Sequence, residues 1–240
     1  MRTEKTASRP PIAVSPDASK AGSARRRIVL VDDHPVTRDG VSVLIDQEPD
    51  LVVCGQSDSA PAALQLIERT KPDLAIVDIT LKTTSGIELL KGLKALMPGL
   101  PVLVMSMHDE GLFAERALRA GARGYIMKHE ASQRILEAIR RVLSGDLYLS
   151  DKMKEKMLHS LVRSRKDEVV FSIDTLSDRE LEVFQLIGNG FSTRQIADKL
   201  NLSVKTIDSY REHLKLKLRL EKGSDLVRHA IQWVRSEGMV

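Results

Sequence analysis

Five short runs of aliphatic and β-branched residues, at 28–31, 51–54, 74–77, 102–105 and 124–127, alternate with segments of helical periodicity. That alternation is what a parallel sheet demands, because each return to a parallel neighbour needs a crossover long enough to hold a helix. The crossovers are expected as helices near 36–47, 60–70, 86–96, 110–120 and after 131, with Pro61, Pro72, Pro98 and Gly121 marking their limits. Leu74-Ala-Ile-Val and Val102-Leu-Val-Met are apolar throughout, as suits central strands covered on both faces. The expected fold class for 28–145 is therefore α/β, a doubly wound sheet of five parallel strands.

Strand signals stop near Gly145. Residues 146–172 carry six basic and five acidic residues and are expected to form a partly helical linker. From 173 to 240 the pattern is helical throughout, with helices expected near 178–188, 193–200, 204–218 and 224–235. Ser177-Asp-Arg-Glu180 and Ser192-Thr-Arg-Gln195 fit the capping box, in which cap hydroxyl and third side chain satisfy each other's free amides. Ser203 caps the third of these helices. At the other end, residues 1–27 hold seven basic and two acidic residues among Ser, Ala and Pro, the composition of a solvated, disordered leader.

Composition narrows the function classes. A 42% apolar and 29% charged chain of 240 residues is globular over most of its length. One cysteine, Cys54, excludes an internal disulfide and a Cys-rich zinc site. Eight aromatic residues are too few for base-stacking platforms, which disfavours single-stranded nucleic acid and leaves duplex binding open. No apolar stretch reaches the roughly 18 residues of a membrane span, and Met1-Arg-Thr-Glu-Lys lacks the apolar core of a secretory signal, so the expected location is cytoplasmic.

In parallel sheets function gathers at the carboxyl ends of the strands. There the chain places Asp32 and Asp33 after the first run, Asp78 after the third, Ser106 after the fourth and Lys128 after the fifth. Three carboxylates converging on one sheet edge repel one another, which favours a hard divalent cation with oxygen ligands, Mg²⁺ being the natural one. A divalent cation, a hydroxyl and an ammonium together suit a phosphoryl group, with Asp78 as the carboxylate nucleophile. Taken singly, each residue has a plainer reading: Asp32-Asp33 opening a helix, Ser106 a loop hydroxyl, Lys128 a surface cation.

These residues, in this order, resemble the receiver domain of two-component response regulators over 28–143. The resemblance implies a flavodoxin-like fold in which Asp78 takes phosphate from a sensor histidine kinase. It implies that Asp32, Asp33, Asp78 and the Thr80 carbonyl hold Mg²⁺, that Ser106 and Lys128 grip the phosphoryl group, and that Tyr125 changes orientation on activation. It also implies no turnover enzyme, only slow loss of the chain's own phosphoryl group. One departure is Lys82, where many members carry proline, and a more mobile loop up to Gly86 is expected from it.

In the helical part, Ile207, Tyr210, Leu214 and Leu218 form one buried stripe, and Lys205, Asp208, Ser209, Glu212 and Lys215 lie opposite. Two short helices with a polar second helix are what helix-turn-helix proteins lay in the major groove, although a domain of net +1 is a weak electrostatic footprint. Leu176-Ser-Asp-Arg-Glu, Gly190-Phe-Ser-Thr-Arg-Gln-Ile-Ala and Leu202-Ser-Val-Lys-Thr-Ile resemble the all-α, four-helix LuxR-type DNA-binding domain, and together with the receiver-like part the chain resembles the NarL/FixJ class. The resemblance implies base reading by Asp208, Ser209 and Glu212, backbone contacts from Thr193, Lys205, Thr206, Arg211 and Lys215, and a dimer surface at Leu226, Ala230 and Trp233. A phosphorylation-controlled homodimer on two half-sites of double-stranded DNA, with RNA polymerase as a further partner and no membrane, is the expected function. Two alternatives stay open: a phosphohydrolase using Asp78, disfavoured because Thr80 stands where such an enzyme needs a second acid, and a regulator whose receiver serves only for docking or dimerisation.

Overall fold

The computed structural model describes residues 24–81, 85–162 and 173–237. Its order is β1 (Arg26–Val31), α1 (Pro35–Asp46), β2 (Leu51–Ser57), α2 (Ala60–Thr70), β3 (Leu74–Val77), α3 (Gly86–Leu96), β4 (Val102–Ser106), α4 (Glu110–Ala120), β5 (Gly124–Met127) and α5 (Lys128–Leu143). The helices α6 (Asp151–Val162), α7 (Asp178–Gly188), α8 (Thr193–Leu200), α9 (Val204–Lys217) and α10 (Gly223–Glu237) follow, with a 3-10 turn at Ile173–Thr175 before α7.

The five strands are parallel in the order β2-β1-β3-β4-β5. Strand alternation divides the core between two faces: Ile28, Leu30, Ile76 and Ile126 meet Val41 and Ile45 of α1 and Ile135 and Ile139 of α5. Val29, Val31, Val77 and Val104 meet α2, α3 and α4 through Ile67, Leu90 and Phe113. Because β1 sits between β2 and β3, the winding reverses there and leaves a crevice at the carboxyl ends of β1 and β3. Gly86 keeps that crevice narrow: α3 starts so close to β3 that a Cβ would lie 2.0 Å from the Asp78 carbonyl oxygen.

One boundary differs from the sequence reading, and one segment gains definition. β1 begins at Arg26, inside the expected leader, because pairing with Leu51 and Val52 extends the sheet edge and Asp73 receives both the Arg27 amide and the Arg26 guanidinium. Residues 151–162 of the expected linker form α6, which packs on α4; Met153 and Met157, one turn apart, supply an apolar side that the surrounding charges obscure. The expected mobility at Lys82 and the leader up to residue 23 lie outside the described residues.

Helices α7 to α10 surround Phe184, Ile187, Ile196, Ile207, Leu214 and Leu226. Both expected capping boxes form, Ser177 with Glu180 and Ser192 with Gln195, and Ser203 accepts the Thr206 amide at 3.0 Å. The αL residue Asn201 ends α8 and sets the tight turn into α9. This helical unit docks on the α3–α4 side of the sheet, where the apolar core runs on through Leu176 into α7. Arg116 of α4 fastens it, donating to the carbonyls of Leu176 (2.7 Å) and Ile173 (2.8 Å) and pairing with Asp178 at 3.3 Å.

Candidate functional site

The strand ends bring together the residues the sequence placed there. Asp32 and Asp33 follow β1, Asp78 follows β3, Ser106 ends β4, and Lys128 opens α5 directly after β5; the three carboxylates and Ser106 are all buried. Lys128 Nζ lies 2.7 Å from both Asp78 Oδ2 and Asp32 Oδ2, so one ammonium balances two of three acids.

The charge left over shows in the protonation equilibria. Burial, partly countered by Lys128 and reinforced by the Asp32 charge, pushes the Asp78 carboxyl up from 3.8 to about 6. Burial alone would lower the Lys128 pKa, but the charges of Asp78 and Asp32 outweigh it and hold the ammonium protonated. Asp32 Oδ2 and Asp33 Oδ1 are buried without a hydrogen bond, although Lys128 and the His34 ring approach them as ion-pair partners. Among the described residues, ligand atoms of Asp32, Asp33, His34 and Asp78 lie within 4.8 Å of one another. Buried carboxylate oxygens at that spacing, two of them ion-paired but without a hydrogen bond, fit a hard divalent cation.

Around this cluster, neighbouring side chains are fixed by their backbone. The Thr80 amide donates to Asp78 Oδ1 at 3.2 Å, and the His108 amide donates to Ser106 Oγ at 3.1 Å. Tyr125 is buried and turned inward, its hydroxyl donating to the His108 carbonyl at 2.8 Å. Burial holds that phenol well above its ordinary pKa, so at neutral pH it stays a donor.

The second candidate site is the outer side of α9. Lys205, Asp208, Ser209 and Glu212 are exposed, and Thr193, Thr206, Arg211 and Lys215 are half-buried around them. Lys215 pairs with Glu212 at 2.8 Å, and the Thr206 hydroxyl is engaged with Ser203 in the cap. Among the described residues, the hydrogen bonds that dock the helical unit run through the 3-10 turn and α7, and this side of α9 stays exposed. On α10 the structure uses Leu226 and Ala230 for packing: both are fully buried, α10 crosses α7 so closely that a Cβ on Gly188 would meet the Ala230 carbonyl oxygen at 2.5 Å, and Trp233 packs on Phe184. Within one chain, then, the side chains of Leu226 and Ala230 are not presented to a partner.

Comparison with known proteins matches residues 28–140 to the response regulator receiver domain and 174–230 to the bacterial regulatory proteins of the luxR family. The oxygen regulatory protein NreC of Staphylococcus epidermidis is 32% identical over 211 residues, covering 86% of this chain and 97% of that protein. The chain belongs to the two-component response regulators of the NarL/FixJ class. A LuxR-family response regulator from Aurantimonas sp. SI85-9A1 is structurally similar, with 31% identity, a TM-score of 0.54, and coverage of 58% of this chain and 100% of that one. A structure of two RcsB dimers bound to two parallel DNAs aligns at 25% identity and a TM-score of 0.52, covering 85% of this chain and 97% of that one. This response regulator is thus a DNA-binding regulator of transcription, with a flavodoxin-like receiver and a LuxR-type helical domain.

Residues that the sequence reading passed over complete the receiver site. His34 and His108 stand beside Asp33 and two residues after Ser106, positions where strand-end reasoning had a local signal to follow. Arg179 and Glu182 had none, since they reach this site only through domain docking: Arg179 donates to the Leu81 carbonyl, and Glu182 lies 3.1 Å from His108 Nε2. Among the described residues no helix is long and apolar enough to cross a membrane.

Proposed function

We propose that Asp78 of this response regulator accepts the phosphoryl group of a sensor histidine kinase, and that the modification controls dimerisation and sequence-specific binding to two half-sites of double-stranded DNA. One observation carries the reading: the buried Asp78 carboxylate shares the Lys128 ammonium with Asp32 and accepts the Thr80 amide, and Ser106 is buried at the end of β4, the strand paired with β3. A carboxylate held this way is desolvated and oriented by its bonds to Lys128 and Thr80.

Asp32, Asp33, Asp78 and the Thr80 carbonyl are the groups that would hold Mg²⁺, which when bound neutralises the oxygens of the transferring group. In the transfer, an Asp78 oxygen forms a bond to phosphorus as the P–N bond to the donor histidine breaks, and the imidazole nitrogen departs with the electron pair. Lys128 then exchanges its hold on the Asp78 carboxylate for one on a phosphoryl oxygen, and the Ser106 hydroxyl donates to another. Attack of water at phosphorus slowly returns Asp78 to its carboxylate. Ser106 and Tyr125 are joined through the backbone of His108, so movement of the hydroxyl toward phosphate is felt at the Tyr125 ring.

Because the outer side of α9 is already exposed in the docked arrangement, release of the helical domain is read as permitting two copies to pair, rather than as uncovering the helix. The similar structure of two RcsB dimers bound to two parallel DNAs supports the same assembly here. Thr193, Lys205, Thr206, Arg211 and Lys215 then serve the phosphate backbone, and Asp208, Ser209 and Glu212 the base edges. Promoter-bound, the regulator acts on RNA polymerase in the cytoplasm. The test is intact-mass spectrometry of the protein and its Asp78→Asn variant after incubation with acetyl phosphate, with and without Mg²⁺. A Mg²⁺-dependent gain of one phosphoryl group, lost in the variant, is the expected result; gain at another residue, or none, refutes the assignment.

A further inference from the structure

Glu182 belongs to α7 of the DNA-binding domain, yet its carboxylate is buried against the receiver at the edge of the acceptor site, 4% exposed. The Thr80 hydroxyl donates to its Oε1 at 3.2 Å, and His108 Nε2 lies 3.1 Å from the same oxygen. Its other oxygen receives Arg179 Nη1 at 2.6 Å, and Arg179 itself donates to the Leu81 carbonyl of the receiver. Thr80 Oγ1 and His108 Nε2 are also 2.8 Å apart, which closes a three-membered cluster.

Both receiver residues touched by Glu182 hold the acceptor site through their backbones. The Thr80 amide is on Asp78 Oδ1 and the His108 amide is on Ser106 Oγ. A single residue therefore separates a carboxylate of the DNA-binding domain from the acceptor on one side and from the phosphate-gripping hydroxyl on the other. Helix α7 has no packing need for an acid here, as Leu181, Val183, Phe184 and Ile187 make its core. A buried carboxylate is costly unless bonded, and most of these bonds come from the receiver.

Phosphorylation turns the Asp78 carboxylate into a group with about two negative charges. Inside the docked interface the repulsion from Glu182 is poorly screened by salt. Thr80 and His108, while bonded to Glu182, are also not free to turn toward phosphoryl oxygens.

We propose that Glu182 is a positioning residue for the receiver's own phosphoryl chemistry: while docked, its negative charge and its hold on Thr80 and His108 oppose phosphoryl binding, and the bound phosphoryl group expels it. The inference rests on the reading of Asp78 as phosphoacceptor. It makes the DNA-binding domain a regulator of the receiver as well as its output, since coupling between two equilibria is reciprocal.

The full-length wild type, Glu182→Gln and Glu182→Asp are compared for Mg²⁺-dependent affinity for beryllofluoride, a phosphoryl mimic, and for the rate of phosphoryl uptake from acetyl phosphate. Circular dichroism confirms that each is folded. Coupling of ordinary strength gives Glu182→Gln about 5- to 150-fold tighter beryllofluoride binding, with faster uptake. Glu182→Asp, which keeps the charge on a shorter stem, stays closer to wild type than to Glu182→Gln. Equal affinities for wild type and Glu182→Gln overturn the proposal, as does a Glu182→Asp that matches Glu182→Gln, because charge then plays no part. Binding by none of the three overturns the phosphoacceptor reading itself, a result distinguishable from the other two.

Discussion

Removing the charge of Asp78 is expected to make the protein more stable. Burial and the Asp32 charge hold this carboxyl at about 6 in the folded chain, against 3.8 when free. A group whose pKa is raised by folding contributes stability that is fully present below 3.8 and lost as pH rises through about 6. The difference corresponds to about 3 kcal/mol at pH 7.5, taking roughly 1.4 kcal/mol per pH unit. Asn has nearly the same shape as the protonated acid and keeps an acceptor for the Thr80 amide. In chelator, then, Asp78→Asn is expected to raise the thermal midpoint at pH 7.5 by about 5 to 12 °C, given that about 1 kcal/mol moves a domain of this size by several degrees. Near pH 4.5 the wild-type acid is protonated in the folded state and most of the gain disappears. Added Mg²⁺ narrows the gap at pH 7.5 by stabilising the wild type more than the variant. Differential scanning calorimetry at the two pH values, with and without the ion, checks all three points. A variant no more stable than wild type at pH 7.5, or equally stabilised at both pH values, refutes the argument that buried like charge strains this site.

Arg116→Ala removes the bonds to Ile173, Leu176 and Asp178, each of which, as a hydrogen bond from a charged group, is worth about 1.5–3 kcal/mol; small-angle scattering should show a larger radius of gyration, and an unchanged one would mean that Arg116 does not fasten the domains. Ser192→Ala deletes one capping box and should cost about 1 kcal/mol of helical-domain stability in urea unfolding; no loss would deny the cap its role. DNA affinity should fall steeply with added salt, and Lys205→Ala or Arg211→Ala should each lower the slope of log affinity against log salt by about 1. A slope untouched by both substitutions would remove these residues from the backbone contacts.

The receiver was legible because its chemistry is local in sequence. Each site residue sits next to a strand that its own apolar run announces, and the parallel topology alone brings Asp32, Asp33, Asp78, Ser106 and Lys128 to one edge. Helix starts were equally plain, since a capping box is a four-residue signal. Helix α6 falls in the segment expected to be partly helical, but its bounds and its packing were not legible, because Met153 and Met157 stand among lysines and glutamates and their burial depends on the surface of α4. Glu182 lay beyond reach for the same reason in stronger form: its partners Thr80 and His108 are 102 and 74 positions away, and only docking joins them. The dimer surface at Leu226 and Ala230 is implied only by the family resemblance, and the apolar stripe of α10 does not show what covers it; in the structure α7 does.

The central claim, that phosphorylation of Asp78 governs DNA recognition, is tested most directly by selection from a pool of random-sequence duplexes at fixed salt. Wild-type protein with Mg²⁺ and acetyl phosphate, the same protein without the donor, and Asp78→Asn with the donor are each used to capture DNA, and the bound pools are sequenced. The account predicts a paired motif with half-sites about one helical turn apart, strongly enriched only by the phosphorylated wild type. Equal enrichment by all three would contradict it and leave the receiver as a docking module without a switch.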